Sequence, residues 1–323
     1  MNPKILVTVR IKSKEQVQRS KLFKELFAVE LESFANHHVM MRRNLSPLQM
    51  TTRRTFQRVT KFSLLALNLF VLLLPGSGGV KSNPLLFKKT LRIMTYNIHV
   101  GVGMDKKLDL QRIADVINKE KPDLVGLQEV DRGVKRTEGK DEIAELAKMT
   151  RMDYAFAHNL DFQGGQYGVA ILSRFLLQNV DHQMFANKRE AERRGMLHVE
   201  VEVDKQLVHF VTTHLDYQYE DGRVFETEQM LKLLSDVKGP LIVVADMNDE
   251  PPGDAYKLML GKFGDSWIAS RATGDGFSYP ADKPIKRIDY VFYRADAFKV
   301  KSARVVETLA SDHVPVVADL QLR

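Results

Sequence analysis

Apolar and polar residues are arranged along residues 91–323 in patterns that predict strands and helices throughout. Short apolar runs bounded by polar residues predict buried strands, first at residues 91–100 and again at 123–130. Apolar residues at helical spacing predict an amphipathic helix over residues 109–119, which Pro122 ends. Because strands and helices are mixed over the whole region, residues 91–323 are expected to form one α/β domain.

The same patterns predict the remaining elements of this domain. Strands are expected at residues 154–158, 169–173, 197–203, 207–214, 241–245, 288–293, 300–306 and 314–320. Helices are expected at residues 141–150, 226–237 and 254–260. Residues 174–195 and 269–287 lack both patterns and are expected to be loops that set substrate specificity.

The N-terminal quarter has a different character. Residues 1–61 form a basic segment, and a mostly apolar run of thirteen residues follows at 62–74, before Pro75 and a glycine-rich stretch. At about 1.5 Å per residue a helical run of this length reaches about 20 Å, short of the roughly 30 Å hydrocarbon core. Residues 62–79 therefore predict the hydrophobic region of a signal peptide, with export to the periplasm or the medium. An uncleaved, tilted membrane anchor is the alternative.

Signal peptides begin at the N-terminus, whereas this apolar run begins deep in the chain. Met40, Met41 and Met50 lie upstream, and a start at Met50 would give a signal peptide of ordinary proportions. Residues 1–49 are therefore interpreted as an over-extended translation start. Contact with a membrane is expected only through residues 62–74, if they are not cleaved.

The charge of the chain is divided unevenly between these regions. The whole chain holds 48 Lys and Arg against 41 Asp and Glu, a net charge of +7. Residues 1–90 hold 16 basic and 4 acidic residues, so residues 91–323 hold 32 and 37, a net charge of −5. The predicted domain thus lacks the basic excess that DNA-binding proteins use to neutralise phosphates, which weakens a nuclease interpretation without removing it.

Polar side chains recur where the predicted strands end. Each of them alone is compatible with a structural role, such as a turn cap or a hydrogen-bonded core histidine. Their repetition favours a functional site, because loops at strand ends present side chains from a rigid frame. The residues are Asn97, Glu129, His214, Asp246, Asn248, Asp289, Asp312 and His313.

These carboxylates, amides and histidines restrict the possible chemistry. The chain has no cysteine, which excludes disulfides, a thiol nucleophile and a cysteine-based zinc site. Without paired histidines at metal-ligand spacing, the set suits Mg²⁺ or Mn²⁺. The sequence has no HExxH, GxxxxGK[ST] or GxSxG motif, which disfavours a thermolysin-like zinc site, a P-loop NTPase and a serine hydrolase. A metal, a water-activating Asp and histidines for the oxyanion fit phosphoester hydrolysis.

Seven short motifs surround these residues in a fixed order. They are Thr95-Tyr-Asn-Ile98, Leu127-Gln-Glu-Val130, Gly168-Val-Ala-Ile-Leu-Ser173, Thr213-His-Leu-Asp216, Ala245-Asp-Met-Asn248, Arg287-Ile-Asp-Tyr290 and Ser311-Asp-His313. The ordered set resembles the endonuclease/exonuclease/phosphatase superfamily, which includes the DNase I-like nucleases. The resemblance implies a four-layer α/β sandwich, with two mixed β-sheets packed face to face and helices outside. One departure, Ala245-Asp-Met-Asn248 for Gly-Asp-Phe-Asn, affects only the expected local packing.

The resemblance also implies roles for the metal-binding and water-activating residues. Glu129 matches the principal Mg²⁺ (or Mn²⁺) ligand, with Asn97 beside it and Asp312 near the same metal. Asp246 matches the carboxylate that orients or deprotonates the attacking water. Asn248 matches the amide that contacts the phosphate next to it.

The histidines and arginines complete this expected site. His313 matches the histidine that contacts the scissile phosphate and is held and charged by Asp289, and His214 matches the second phosphate-contacting histidine. Arg194 lies in a polar segment, where its guanidinium could clamp a phosphate oxygen or belong to a solvated charge run. Arg287 could face the substrate or simply flank a strand.

The expected function is therefore metal-dependent hydrolysis of a phosphate ester by a phosphodiesterase or phosphatase, as a monomer. Asp-activated water would attack in line, and the Asp–His pair would stabilise the phosphorane. The substrate could be a small molecule, a lipid headgroup or nucleic acid. A DNA endonuclease or exonuclease is the alternative. A membrane-anchored, non-catalytic interaction protein is a second alternative, although the intact set of polar residues speaks against it.

Overall fold

The computed structural model describes residues 89–323, so the predictions for residues 1–61 and 62–79 lie outside the described residues. In the part of the chain that is described, no helix is both long and apolar enough to span a bilayer. The predicted boundary of the domain at residue 91 stays a prediction. The described residues form two β-sheets with helices on their outer faces.

The first sheet contains six strands. They are β1 (Thr90–Asn97), β2 (Leu124–Arg132), β3 (Asp153–Phe162), β4 (Gly165–Ser173), β11 (Phe298–Val305) and β12 (Val316–Leu322). Their spatial order is β11-β12-β1-β2-β4-β3. The sheet is mixed because β1 and β2 are parallel, whereas the other neighbours are antiparallel.

The second sheet also contains six strands and repeats this arrangement. They are β5 (Gln178–Met184), β6 (Gly195–Val203), β7 (Gln206–His214), β8 (Leu241–Asp246), β9 (Gly264–Asp265) and β10 (Asp289–Tyr293). Their spatial order is β5-β6-β7-β8-β10-β9. Here β7 and β8 are the parallel pair.

Four longer helices cover the outer faces of the two sheets, and a short fifth helix contacts strands of both. They are α1 (Leu110–Glu120), α2 (Glu142–Thr150), α3 (Glu220–Leu233), α4 (Asp254–Leu260) and the short α5 (Ser266–Ser270), with 3₁₀ turns at His99–Gly101 and Lys135–Thr137. Asp109 begins α1 by accepting hydrogen bonds from two backbone amides of its first turn. Asp141 caps α2 in the same way. These caps explain why both helices begin at the acidic residues that the sequence indicated.

Side-chain alternation along the strands creates three apolar layers. Leu91 and Ile93 of β1 point between the sheets, together with residues of β6, β7 and β8. Met94 and Tyr96 point outward and pack under α1 and α2. A third layer lies between the second sheet and α3 and α4. The predicted four-layer sandwich of two mixed sheets with helices outside is therefore confirmed.

The segment at residues 174–195 is not wholly a loop, as the sequence pattern had predicted. It contains β5, which pairs with β6 at the edge of the second sheet. The strand has no apolar alternation because most of its side chains are partly or fully exposed. Likewise, α3 begins at Glu220 rather than at residue 226, since its first turn is polar.

Candidate active site

The candidate site lies at one edge of the sandwich, where strands of both sheets end together. Asn97, the last residue of β1, pairs with Gln128 of the parallel strand β2. In the second sheet Asp246, the last residue of β8, pairs with His214 on one side and with Asp289 on the other. Strand register therefore aligns His214, Asp246 and Asp289 within the second sheet, and the packing of the two sheets brings Asn97 to them.

Glu129 enters the site through an irregularity in β2. The pairing of β2 with β4 shifts between Leu127 and Val130, which marks a β-bulge, and Glu129 has a positive φ of 55°. A bulge re-aims the side chain of the bulged residue. The Glu129 carboxylate consequently accepts a hydrogen bond from Asn97, with Nδ2 and Oε1 separated by 3.0 Å.

Asn97 connects the two sheets at the site. Its Nδ2 also donates to Asp246 Oδ2 at 2.9 Å, so one buried amide bridges a carboxylate of each sheet. Its Oδ1 accepts from the backbone amide of His99 at 3.0 Å, which fixes the orientation of the side chain. The amide thus holds two negative groups close together by sharing its two protons between them.

Asp246 is buried among acidic and basic partners. It is 1% exposed, and its Oδ1 accepts a hydrogen bond from the backbone amide of Asn248. Burial, followed by the negative charge of Asp289, raises the pKa of Asp246 to about 7, although the charge of His313 acts in the opposite direction. A carboxylate with such a pKa can take up a proton near neutral pH.

His313 and Asp289 form a buried pair beside Asp246. His313 Nδ1 lies 2.8 Å from Asp289 Oδ2, and its Nε2 lies 3.7 Å from Asp246 Oδ2. Burial acts to lower the pKa of His313, but the charges of Asp289 and Asp246 outweigh it and raise that pKa to about 10. The imidazole is therefore a cation at neutral pH.

The three residues Asp246, Asp289 and His313 also satisfy the spacing of a metal-binding cluster, since their ligand atoms lie within 4.8 Å of one another. One ligand atom of each of two members is engaged within the trio, because His313 Nδ1 lies 2.8 Å from Asp289 Oδ2. In the structure the trio forms an ionic hydrogen-bonded network.

His214 is held in the opposite protonation state. Arg194 Nη1 donates to His214 Nδ1 at 2.9 Å, and His214 Nε2 lies 3.5 Å from Asp246 Oδ2. Burial, the Arg194 charge and the His313 charge lower the pKa of His214 well below its ordinary value. Asn248 Nδ2 lies 3.0 Å from the same Nε2 and donates to the Leu215 carbonyl. His214 is thus a neutral ring that is contacted at both of its nitrogens.

A cavity of about 880 Å³ opens onto these groups. Seven of the ten predicted site residues line it: Glu129, Arg194, His214, Asp246, Asn248, Asp312 and His313. Asn97 and Asp289 are hydrogen-bonded directly behind this lining. The structure therefore brings together nine of the ten residues that the sequence indicated, and their individual roles stay predictions.

The structure bears on the alternatives given for the two arginines. Arg194 is 1% exposed and lies behind His214, bound also to Glu192, so it is not part of a solvated charge run. Arg287 does not line the cavity and lies two residues before β10, which agrees with its second alternative, that it flanks a strand. Its guanidinium donates hydrogen bonds to Asp265 and to the Tyr256 hydroxyl. Tyr256 belongs to the apolar layer between the second sheet and the helices outside it. Both side chains are buried because a carboxylate partner compensates each charge.

Other residues of the cavity carried no signal in the sequence. Arg136, Tyr167, Arg223 and Tyr279 come from four separate segments and belong to none of the motifs. The Tyr279 ring packs against His313 with 4.8 Å between the ring centroids. Only the fold brings such residues together, so sequence spacing could not identify them.

The donor set around the cavity mouth fits a hard divalent cation. Burial raises the pKa of Tyr279, and the negative charges of Asp312, Glu129 and Asp246 raise it further. These three carboxylates line the same cavity as Tyr279. The Asp312 side chain is 25% exposed, so the cavity is open to solvent on that side. Several carboxylate oxygens with an open face are what Mg²⁺ uses in proteins, where it keeps part of its water shell.

Comparison with known proteins agrees with this geometry. The family model described as "Endonuclease/Exonuclease/phosphatase family" matches residues 94–313, which include the whole candidate site. The chain belongs to the endonuclease/exonuclease/phosphatase family. Members of this family hydrolyse phosphoesters. The match begins within β1 and ends at His313, so it spans both sheets.

Individual relatives of this family share the fold at low sequence identity. YbhP of Escherichia coli K12, a protein of uncharacterised function, is 23% identical over 248 residues, which cover 72% of this chain and 97% of YbhP. An endonuclease/exonuclease/phosphatase from Beutenbergia cavernae is 25% identical, with a TM-score of 0.59 over 73% of this chain and 72% of that one. The mannosyl-6-phosphatase Bt3783 of Bacteroides thetaiotaomicron is 19% identical, with a TM-score of 0.59 over 71% and 99%.

Proposed function

We propose that the protein is a Mg²⁺-dependent hydrolase of phosphate esters. The observation that carries the proposal is the position of Asp246. Its carboxylate is held by Asn97 and flanked by a neutral and a charged histidine, His214 and His313. It faces the same cavity as Glu129 and Asp312. A proton acceptor, two donors for phosphoryl oxygens and a cation site thus meet in one place.

Three oxygen-bearing side chains form the cation site in this proposal. Glu129 and Asp312 would hold the Mg²⁺, with Asn97 beside them. The ion supplies positive charge for the phosphate oxygens and lowers the pKa of bound water. Mn²⁺ has the same preference for oxygen ligands and can take its place.

Asp246 orients the attacking water and accepts its proton. Its raised pKa, about 7, matches a general base that works near neutral pH. The water attacks phosphorus in line with the leaving alcohol, and the O–P bond to that alcohol breaks without a covalent enzyme intermediate. The water contributes its oxygen and one hydrogen to the product phosphate, and its other proton passes to Asp246 and finally to the departing alkoxide.

The two histidines and Asn248 stabilise the charge that develops on the phosphorane. His313 donates from Nε2 as a cation, because Asp289 compensates its positive charge. His214 faces the phosphate through Nε2 as a neutral ring, since Arg194 occupies its Nδ1. Donors that are fixed before the reaction stabilise the transition state without reorganisation.

The lining of the cavity supports a small or headgroup-sized ester over a DNA duplex. Basic side chains such as Arg136 and Arg223 are interspersed with acidic ones such as Glu192 and Glu220. A nuclease would be expected to show a continuous basic groove. The phosphatase named from Bacteroides thetaiotaomicron supports the view that this fold accepts a phosphate monoester of a sugar. The protein would act as a monomer, exported through residues 62–79.

The proposal is tested with the full-length chain and a panel of esters in the presence of Mg²⁺. The panel comprises bis-(p-nitrophenyl) phosphate, p-nitrophenyl phosphate, phosphoinositides, sphingomyelin and plasmid DNA. We expect hydrolysis of a small or lipid-linked ester that EDTA abolishes and Mg²⁺ restores. Asp246→Ala and His313→Ala should lose activity at least a hundredfold, whereas Glu250→Gln, at the exposed rim of the cavity, should retain it.

Two results would contradict the proposal. The first is no hydrolysis of any ester with any divalent cation, and the second is unchanged activity in both alanine variants. Preferential cleavage of plasmid DNA would instead favour the nuclease alternative. N-terminal sequencing of the secreted protein tests export separately. A product that retains residues upstream of Met40 would contradict the interpretation of residues 1–49 as an over-extended translation start.

A further inference from the structure

A second group of potential metal ligands lies on β6 and β7, on the face of the second sheet turned away from the central core. His198 and Glu200 are two residues apart on β6, so they share one face. His209 of β7 is the direct cross-strand partner of Glu200. Their neighbours Val199 and Phe210 point to the opposite face, into the core between the sheets.

The three side chains converge closely. His198 Nε2 lies 3.0 Å from His209 Nδ1, and His209 Nδ1 lies 3.5 Å from Glu200 Oε1. One ligand atom from each residue falls within 4.8 Å of the others. Two ligand atoms at about 2.0–2.1 Å from a tetrahedral zinc ion are themselves about 3.3 Å apart. The observed separations lie on either side of that value, so small side-chain rotations suffice to surround an ion.

Each of two ligands is also held by a second partner. His209 makes a further hydrogen bond with the backbone of Lys238, which leaves Nδ1 directed at the cluster. Glu200 Oε2 accepts a hydrogen bond from Asn179 Nδ2 of β5 at 2.5 Å, so Oε1 is the oxygen turned to His209. Partners of this kind orient metal-ligating side chains and strengthen metal binding. Side-chain exposures of 10% for His209 and 15% for Glu200 show a sheltered but accessible group.

We propose that His198, Glu200 and His209 form a binding site for a late first-row divalent metal, with Zn²⁺ as its preferred ligand. Two imidazoles and one carboxylate are a zinc-binding set that leaves a fourth position for water or another ligand. This set differs from the oxygen-rich one around Glu129, because imidazole favours zinc, nickel and copper over magnesium.

The proposed zinc site is separate from the candidate active site. His209 pairs with Leu241 at the beginning of β8, whereas His214 pairs with Asp246 at its end. Five residues of β7 separate the two positions, which corresponds to roughly 16 Å along the strand. The proposal therefore does not depend on the proposed function, and zinc binding can be measured in an enzymatically inactive variant.

The test measures Zn²⁺ binding to the full-length chain by calorimetry, with Mg²⁺ in excess to occupy the carboxylate site. Co²⁺ serves as a spectroscopic probe, because nitrogen-ligated tetrahedral Co²⁺ absorbs visible light. We expect that one Zn²⁺ equivalent is lost in His198→Gln and in His209→Gln. Glu200→Gln should weaken binding at least tenfold. The matched control is His158→Gln, on the first sheet, which should bind as the unaltered chain does.

A fold control accompanies these variants. Zn²⁺ should raise the melting temperature of the unaltered chain and of His158→Gln, should raise that of Glu200→Gln less, and should leave that of the two histidine variants unchanged. If one histidine variant fails to fold, Glu200→Gln keeps the proposal testable, since it preserves size and keeps one acceptor oxygen for Asn179. Absence of Zn²⁺ binding to the unaltered chain would overturn the proposal and leave an ordinary His198–His209 hydrogen bond. Retention of the Zn²⁺ equivalent in both histidine variants would also overturn it.

Discussion

The buried pair between Asp289 and His313 allows a sharp test of how the site stabilises charge. Asp289→Asn changes one atom and removes one negative charge. Among the described residues the Oδ1 atom of Asp289 has no hydrogen-bond partner, and its charge is one cause of the raised pKa of Asp246. The substitution therefore relieves repulsion between two buried carboxylates, so the variant is expected to fold. Only the charge-assisted bond to His313 is lost.

The expected effect follows from the 2.8 Å contact and its burial. A charge-assisted hydrogen bond contributes about 1.5–3 kcal/mol. At about 1.36 kcal/mol for each factor of ten, kcat/KM should fall by about 10- to 150-fold at pH 8. The fall should be smaller at pH 6, because loss of the Asp289 charge lowers the pKa of His313 from about 10 and a more acidic solution restores its proton.

The assay is hydrolysis of bis-(p-nitrophenyl) phosphate from pH 6 to pH 10, in a double-mutant cycle. Asp289→Asn, His313→Gln and the double variant are compared, with the exposed Asp282→Asn as matched control. If Asp289 acts through His313, the double variant is no worse than the poorer single variant. Losses that simply multiply, or a loss of the same size at pH 6 and pH 9, would refute the reasoning.

Three further predictions concern stability and metal binding. Burial raises the pKa of Glu142 from 4.5 to about 8. The protonated side chain therefore makes its largest contribution to the free energy of unfolding below about pH 4.5, and this contribution is lost as the pH rises through about 8. Between pH 5 and pH 8 the free energy of unfolding, measured in urea, should decrease by about 4 kcal/mol on this account. This decrease should be absent in Glu142→Gln and present in the exposed Glu138→Gln. Asn97→Ala should raise the Mg²⁺ concentration for half-maximal activity at least about tenfold, because the Glu129 carboxylate loses the amide that orients it; an unchanged Mg²⁺ dependence would contradict this. Gly126→Ala should destabilise the fold by about 1–3 kcal/mol, since its Cβ would lie 2.7 Å from Thr212 Oγ1 and overlap Val244; an unaltered melting temperature would contradict this.

The sequence predicted elements well where burial imposes a period. Residues 254–260 were predicted as a helix with the bounds that α4 has, and the predicted starts of α1 and α2 coincide with capping aspartates. The edge strand β5 could not be recognised, because a strand that buries neither face has no reason to alternate. The position of Glu129 in a bulge was equally invisible, since pairing register depends on the partner strand.

The candidate site was predictable to the extent that its residues end strands. Arg287 begins a motif but turns inward to Asp265, and nothing in the local pattern distinguishes that from a cavity-facing side chain. His198 and His209 show the opposite case, in which two side chains meet although the sequence pattern predicts no metal site there. They are eleven residues apart in the sequence, and the hairpin formed by β6 and β7 brings their rings together. Cross-strand pairs have no fixed sequence separation, so a search by spacing passes over them.

The bridging position of Asn97 makes activity sensitive to the relative position of the two sheets. The first sheet contributes Glu129 and the second contributes Asp246, and the two meet only through this amide at the seam. Neither half of the sandwich carries a complete set of reactive groups. A displacement of one sheet past the other by about an ångström would separate the groups before any strand came apart. Catalytic rate should therefore report on the docking of the two halves, and in urea activity should disappear no later than the first loss of inter-sheet packing.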